Sequence, residues 1–128
     1  DSLQRAIELK PDDAFLYEQL AIVFEFKFVK SGNLLFTEQQ KEEARYSAVD
    51  AFRKSAQLRP AWPDGWAHLA RTKAYISEID DEFSQAFNNA ISLGATEPRV
   101  DNELRPLCPV IAYFEVPDTI INFCSAET

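Results

Sequence analysis

Ser55-Ala56-Gln57-Leu58-Arg59-Pro60-Ala61-Trp62-Pro63-Asp64-Gly65-Trp66-Ala67-His68-Leu69-Ala70 decides the fold, because its punctuation occurs twice in the chain. The earlier copy is Ala6-Ile7-Glu8-Leu9-Lys10-Pro11, followed by Tyr17-x2-Leu20-Ala21-x2-Phe24. In both, an aromatic residue stands six places after a proline and a Leu-Ala pair begins three places later. Proline has no N–H for a continuing helical ladder, so Pro11 and Pro60 each mark where a helix stops. The small Ala21 and Ala70 let the next helix approach a neighbour closely, while Tyr17 and Trp66 fill the space between helices. The spacing predicts paired helices nested through Tyr17, Leu20, Ala21, Phe52, Trp66, Leu69 and Ala70.

Working outward, Ala48-x3-Phe52 lies eight residues before Pro60, and Phe83-x3-Phe87 is followed by Ala90 and Leu93. With these residues the chain resembles the tetratricopeptide repeat family, whose 34-residue unit reads W-x2-L-G-x2-Y, then A-x3-F, then P. The resemblance implies an all-α fold, with antiparallel helix hairpins stacked as a short superhelix, and a protein–protein interaction scaffold rather than an enzyme. One departure is informative. Pro11 to Pro60 and Tyr17 to Trp66 each span 49 residues, fifteen more than the family unit, and the excess falls between Phe24 and Ala48. It predicts a first hairpin longer by about two turns in each helix, at about 3.6 residues per turn.

The expected organisation is one helical domain over 1–128: a partial repeat 1–12, an extended repeat 13–60, a repeat 61–95 and a capping segment 96–128. A chain that opens in mid-repeat without a Met is expected to be a piece of a longer protein. Local signals place the helices. The first covers about 2–10, and the next runs about 13–30 to stop at Ser31-Gly32-Asn33. Thr37 with Gln40 three places on forms a capping box that opens a helix to about 58. Pro63 suits the first turn of a helix over 63–76. Asp80 caps a helix ended by Gly94 as a left-handed C-cap. Thr96 caps another, with Pro98 in its first turn, ending before Pro106. Pro106, Pro109 and Pro117 divide the remainder, and Pro117-Asp118 starts a last helix through Cys124. The alternation Phe24-Glu25-Phe26-Lys27-Phe28 also fits a strand.

Composition agrees with helix. Three glycines starve hairpin turns and phosphate loops, and ten Phe with 46% hydrophobic residues supply a core. The formal charge of −8 excludes a nucleic-acid binder, which needs cations to displace counterions from phosphates. The same charge steers a basic partner or serves solubility. No apolar run reaches the roughly 20 residues of a membrane helix, so membrane insertion of this fragment is not expected. Nothing in the sequence distinguishes a periplasmic from a cytoplasmic location.

No catalytic, cofactor-binding or metal-binding residues are expected. Gly32, Gly65 and Gly94 are isolated, and the single His68 leaves no zinc set with two cysteines. His68 itself reads as a surface or groove histidine. Glu42-Glu43 and Asp80-Asp81-Glu82 are adjacent acids on a solvated face and at a helix start, not two carboxylates sharing an apolar pocket.

The family resemblance implies where a partner sits: helix A of each hairpin lines a concave groove. Carried over, the groove residues are Phe15, Glu18, Ile22 and Glu25 on the first such helix, and Asp64, Ala67, Arg71 and Tyr75 on the second. That groove is acidic and apolar, suited to a basic or apolar peptide. The family's carboxylate-gripping Lys and Asn are replaced by Glu18-Ile22 and Ala67-Arg71. Phe26, Phe28, Leu34, Leu35 and Phe36 crowd the tip of the extended hairpin, opposite the polar run Glu38–Glu43. They either fold onto their own core or form a second interface, for a partner or for a homo-oligomer. Cys108 and Cys124 either form a disulfide or remain two small buried thiols. The run Leu58–Ala70, with Leu93-Gly94 and Glu97-Pro98, is also similar to bacterial helical-repeat proteins linked to exopolysaccharide production, which often lie outside the cytoplasm.

Overall fold

The computed structural model describes residues 2–30 and 35–126, and every regular element among them is helical. In chain order these are α1 (Ser2–Leu9), α2 (Ala14–Glu25), a π-helical stretch Phe26–Lys30 and α3 (Glu38–Leu58). Then follow α4 (Pro63–Tyr75), α5 (Asp81–Leu93), α6 (Pro98–Leu104), a 3-10 turn Arg105–Leu107, α7 (Cys108–Ile111) and α8 (Asp118–Ser125). The all-α expectation holds, with no strand among the described residues. The chain divides into two compact units, Asp1–Pro60 and Ala61–Thr128. The division falls where the proline pattern ends the extended repeat.

In the first unit α2 and α3 form a packed pair, and α1 lies against α2. The sequence sets the start of each helix locally. Asp13 accepts the Phe15 amide at 3.0 Å to cap α2. The Thr37–Gln40 capping box opens α3: the Gln40 amide donates to Thr37 Oγ1 at 3.1 Å and the Thr37 amide to Gln40 Oε1 at 2.9 Å. Along α3, Ala44, Ala48, Phe52 and Ala56 repeat every fourth residue and are all buried. Small residues there and at Ala14 and Ala21 of α2 let the two backbones approach closely. The stretch that alternates like a strand is helical, but from Phe26 the helix loosens to i→i+5 bonding.

Hairpin length departs from expectation in its distribution. At 21 residues α3 exceeds the 13-residue α5 by about two turns. On the other arm α2 and its π-helical continuation, 12 and 5 residues, exceed the 13-residue α4 by about one turn. The stop at Ser31-Gly32-Asn33 lies outside the described residues.

In the second unit α4 pairs with α5, α6 packs on both, and α8 lies on α5. Leu69, Ala70 and Ala74 of α4 and Phe83, Ala86, Phe87 and Ala90 of α5 are buried together with Ile120 of α8. The Phe83 and Phe87 rings lie 5.6 Å apart, and Phe87 meets Phe123 edge-on at 5.4 Å. Of the seven residues expected to nest, Ala21, Phe52, Leu69 and Ala70 are buried, while Tyr17, Leu20 and Trp66 are half-buried.

Two cap expectations are corrected. Gly94 is not left-handed: its φ is −117°. A Cβ there would meet Val100 Cγ2 at 2.8 Å and Pro63 Cβ at 3.0 Å, so the glycine serves close packing between the end of α5 and its neighbours. The left-handed cap lies at Ser77 (φ 60°) after α4. There the Glu78 amide donates to Lys73 O at 2.9 Å and the Ser77 amide to Ala74 O at 3.0 Å, the paired bonds of a Schellman motif. The residue capping α6 is Glu97, without a side-chain bond, rather than Thr96. Pro98 occupies the first turn in any case, and its missing N–H removes one donor that a cap would satisfy. Pro106 and Pro109 sit in the first turns of their own short helices, so this stretch bends instead of unwinding.

Candidate functional site

The outward face of α2 is inverted with respect to an ordinary amphipathic helix. Its buried positions are Ala14, Glu18, Ala21 and Glu25, spaced by four, three and four residues along one stripe. A row of large apolar residues points to solvent instead: Phe15 is 57% exposed, Ile22 44% and, at the start of the π-helical stretch, Phe26 51%. Intervals of seven and four residues keep these three on one face. Close approach to α3 explains the inversion, because only the Ala14/Ala21 side lets the backbones come together. Thus the residues of this helix expected to line a groove separate into an exposed apolar pair, Phe15 and Ile22, and a buried acidic pair, Glu18 and Glu25.

The corresponding row on α4 is largely covered by α6. Arg99 Nε donates to both carboxylate oxygens of Asp64, at 3.1 and 3.0 Å, and its NH1 donates to Glu97 at 2.7 Å. Asp64 is the main reason that the Arg99 guanidinium is held above its ordinary range. Arg71 donates to Glu103, whose other oxygen lies 3.3 Å from His68 Nε2. The His68 ring meets Trp62 edge-on at 6.3 Å. Ala67 is fully buried, and Tyr75 is half exposed beneath the Arg71 guanidinium at 6.0 Å. A cleft of about 450 Å³ remains, lined by Arg71, Tyr75, Arg99, Asn102, Glu103 and Val110 among others.

The hairpin-tip set also divides. Phe26 and Leu35 (68% exposed) face outward, whereas Phe28 and Phe36 are half-buried. Lys27 Nζ sits 5.5 Å from the Phe24 ring centroid and 5.9 Å from that of Phe36. Leu34 lies outside the described residues.

Three features of the second unit were not read from the sequence in full. Lys73 is buried, with its side chain 2% exposed, and its ammonium donates to Glu82 at 2.7 Å and Asp80 at 2.9 Å. Burial works against its charge, but these bonds outweigh it and hold Lys73 above its ordinary range. Burial likewise opposes ionisation of Asp80. The Phe83 amide and Lys73 outweigh it and hold that carboxyl below its usual range. The acids 80–82 are thus a helix start and also a binding site for the protein's own lysine. The signal was present: Lys73 falls one turn after buried Leu69, ahead of an acidic connector.

The second feature is Arg105, which spans α6 and α8. It holds Asp101 with Nε and NH2 at 3.1 and 2.8 Å, and its NH1 donates to Phe123 O and Ala126 O at the end of α8. Its guanidinium lies 4.3 Å from the Phe123 ring centroid. The third is the pairing of Cys108 with Cys124 in a disulfide, Cα–Cα 5.6 Å, which resolves the open alternatives for these two residues.

Charge is unevenly shared. Residues 61–128 hold eleven carboxylates against four cations, a formal −7 of the total −8. All four of those cations, Arg71, Lys73, Arg99 and Arg105, are engaged by carboxylates. Among the described residues no group of three or more His, Cys, Asp and Glu is placed to hold a metal ion. No helix among them is long and apolar enough to cross a membrane. No protein-family model matches the chain, and no curated protein matches it.

Proposed function

We propose that the chain is a protein–protein interaction module of the tetratricopeptide kind, which holds an apolar face of a partner segment against α2. The observation that carries this reading is the exposed row Phe15, Ile22 and Phe26 on a helix that buries Glu18 and Glu25. Large apolar side chains gathered on one face mark contact surfaces. Burying a Phe or Ile fully contributes about 1.5–3 kcal/mol, so three half-exposed ones offer a partner roughly half of that each. The role is binding, not catalysis, and the partner is a protein or peptide with an apolar stripe.

A photoreactive side chain at position 22, with position 50 on the solvated side of α3 as control, tests it. The expected result is an adduct with one protein at 22 alone, lost on Phe15→Ser with helicity unchanged. Equal labelling at both positions, or persistence of the adduct in that variant, overturns the reading.

A second reading, a structural or oligomerising role through the hairpin tip, is favoured by the exposure of Leu35 and Phe26. Sedimentation at varied concentration separates the two, since self-association through the tip disappears on Leu35→Ser. The looser likeness to proteins of exopolysaccharide production supplies a setting outside the cytoplasm, with which the Cys108–Cys124 bridge is compatible.

A further inference from the structure

In the second unit, the last helices flank an apolar slot of about 540 Å³. One wall is α7 and its continuation (Cys108, Ile111, Phe114, Val116), the other is α8 (Ile121, Cys124). The disulfide joins the two walls. Phe114 and Ile121 remain exposed at the slot, so apolar surface is left in solvent at this end of the unit. The connector between the walls is anionic. Glu115 and Asp118, in and just after the connector between the walls, are exposed. All four cations of the unit are committed to other carboxylates.

We propose that this slot is a second docking site, for a short peptide segment that places an apolar side chain between α7 and α8 and a flanking Lys or Arg beside Glu115 and Asp118. Its geometry depends on the Cys108–Cys124 bridge. The occupant follows from complementarity: an apolar slot rejects a bare charge, and an acidic connector on a unit of formal charge −7 repels acidic flanks and attracts basic ones. The bridge matters because the segment between the walls has few bonds of its own. It is tied by turn bonds from the Ala112, Tyr113 and Phe114 amides, and its remaining residues up to Pro117 are mostly exposed. The covalent link, sixteen residues apart in sequence, therefore sets the distance between the walls.

The test uses the full chain with labelled Ile methyl groups and two capped tetrapeptides, acetyl-Lys-Leu-Leu-Lys-amide and acetyl-Glu-Leu-Leu-Glu-amide. The lysine peptide is expected to shift the Ile111 and Ile121 methyls saturably while leaving Ile22 on α2 unchanged. It should bind about five-fold more tightly than its glutamate twin at low salt, the ratio given by about 1 kcal/mol of charge pairing at the connector. Glu115→Gln with Asp118→Asn should abolish that preference in the oxidised protein, and Cys108→Ser with Cys124→Ser should weaken both peptides. Equal affinity for the two peptides, or shifts at Ile22 only, overturns the proposal. So does a dependence of the Ile111 and Ile121 shifts on protein concentration alone, which would mean that a second copy of the chain fills the slot. Unchanged binding in the serine variant overturns the role of the bridge.

Discussion

Replacing Lys73 with Met keeps most of the buried stem and removes the charge. The ammonium lies 2.7 Å from Glu82, 2.9 Å from Asp80 and 3.7 Å from Glu78. Losing one partner of a fully buried pair costs about 3–5 kcal/mol, because the other charge is left stranded. Here the carboxylates are only partly covered, with side chains 34% (Glu82), 37% (Glu78) and 53% (Asp80) exposed, so water reclaims them. A loss of about 1–2 kcal/mol is expected, and about 4–8 °C of melting temperature per kcal/mol for a unit of this size. Both tryptophans, Trp62 and Trp66, belong to Ala61–Thr128, so their fluorescence during denaturation reports that unit. The pH profile is the sharper test. Asp80 is held below its ordinary range when folded, so its contribution exists above that range and disappears as pH falls through the folded value. Lys73 is held above its ordinary range, so its contribution exists below that range and disappears as pH rises through the folded value. The gap between wild type and Lys73→Met should be widest between roughly pH 5 and 9 and close at both ends. A variant as stable as wild type at pH 7, or a gap constant across pH, refutes this account.

Ser77→Gly places at φ 60° the residue that favours it, and a gain of about 0.5–1 kcal/mol is expected in urea denaturation. Gly94→Ala drives a methyl against Val100 and Pro63. A net loss of about 1–2 kcal/mol should appear in the same assay, overpacking outweighing the entropic gain of alanine. Arg105→Met removes the donor at the end of α8 and its bonds to Asp101. Amide exchange at Ile120–Cys124 should accelerate about ten-fold or more while α2 and α3 are unchanged, equivalent to about 1.5 kcal/mol or more for charge-assisted bonds.

What could be read from the sequence was what the chain settles within a few residues. The Thr37–Gln40 box, the Asp80 cap, Pro63 and Pro98 in first turns and Pro117 before α8 all act over one helical turn. Gly94 was misjudged and the left-handed cap at Ser77 was not foreseen, each for a physical reason. A glycine after a helix is compatible either with positive φ or with close approach, and only the positions of Val100 and Pro63 decide between them. Serine carries no compositional sign of left-handed geometry. The covering of α4 rests on Asp64–Arg99 and Arg71–Glu103, pairs 35 and 32 residues apart, and no local pattern announces them. On α2 the family resemblance offered Phe15 and Ile22 together with Glu18 and Glu25. Which pair lies outward depended on how closely Ala14 and Ala21 bring the backbone to α3.

The widened turn at Phe26–Lys30 also bears on how this hairpin tolerates insertions and deletions. A π-helical turn holds one more residue than its α-helical counterpart without changing the direction of the chain. Deleting a single residue there should therefore return the turn to ordinary winding and leave Ala14–Glu25 seated on α3. The same deletion between Phe15 and Ile22 would rotate the rest of the helix by about 100° and carry those two residues onto different faces. The loop end of this arm can shorten by a residue, and its root cannot.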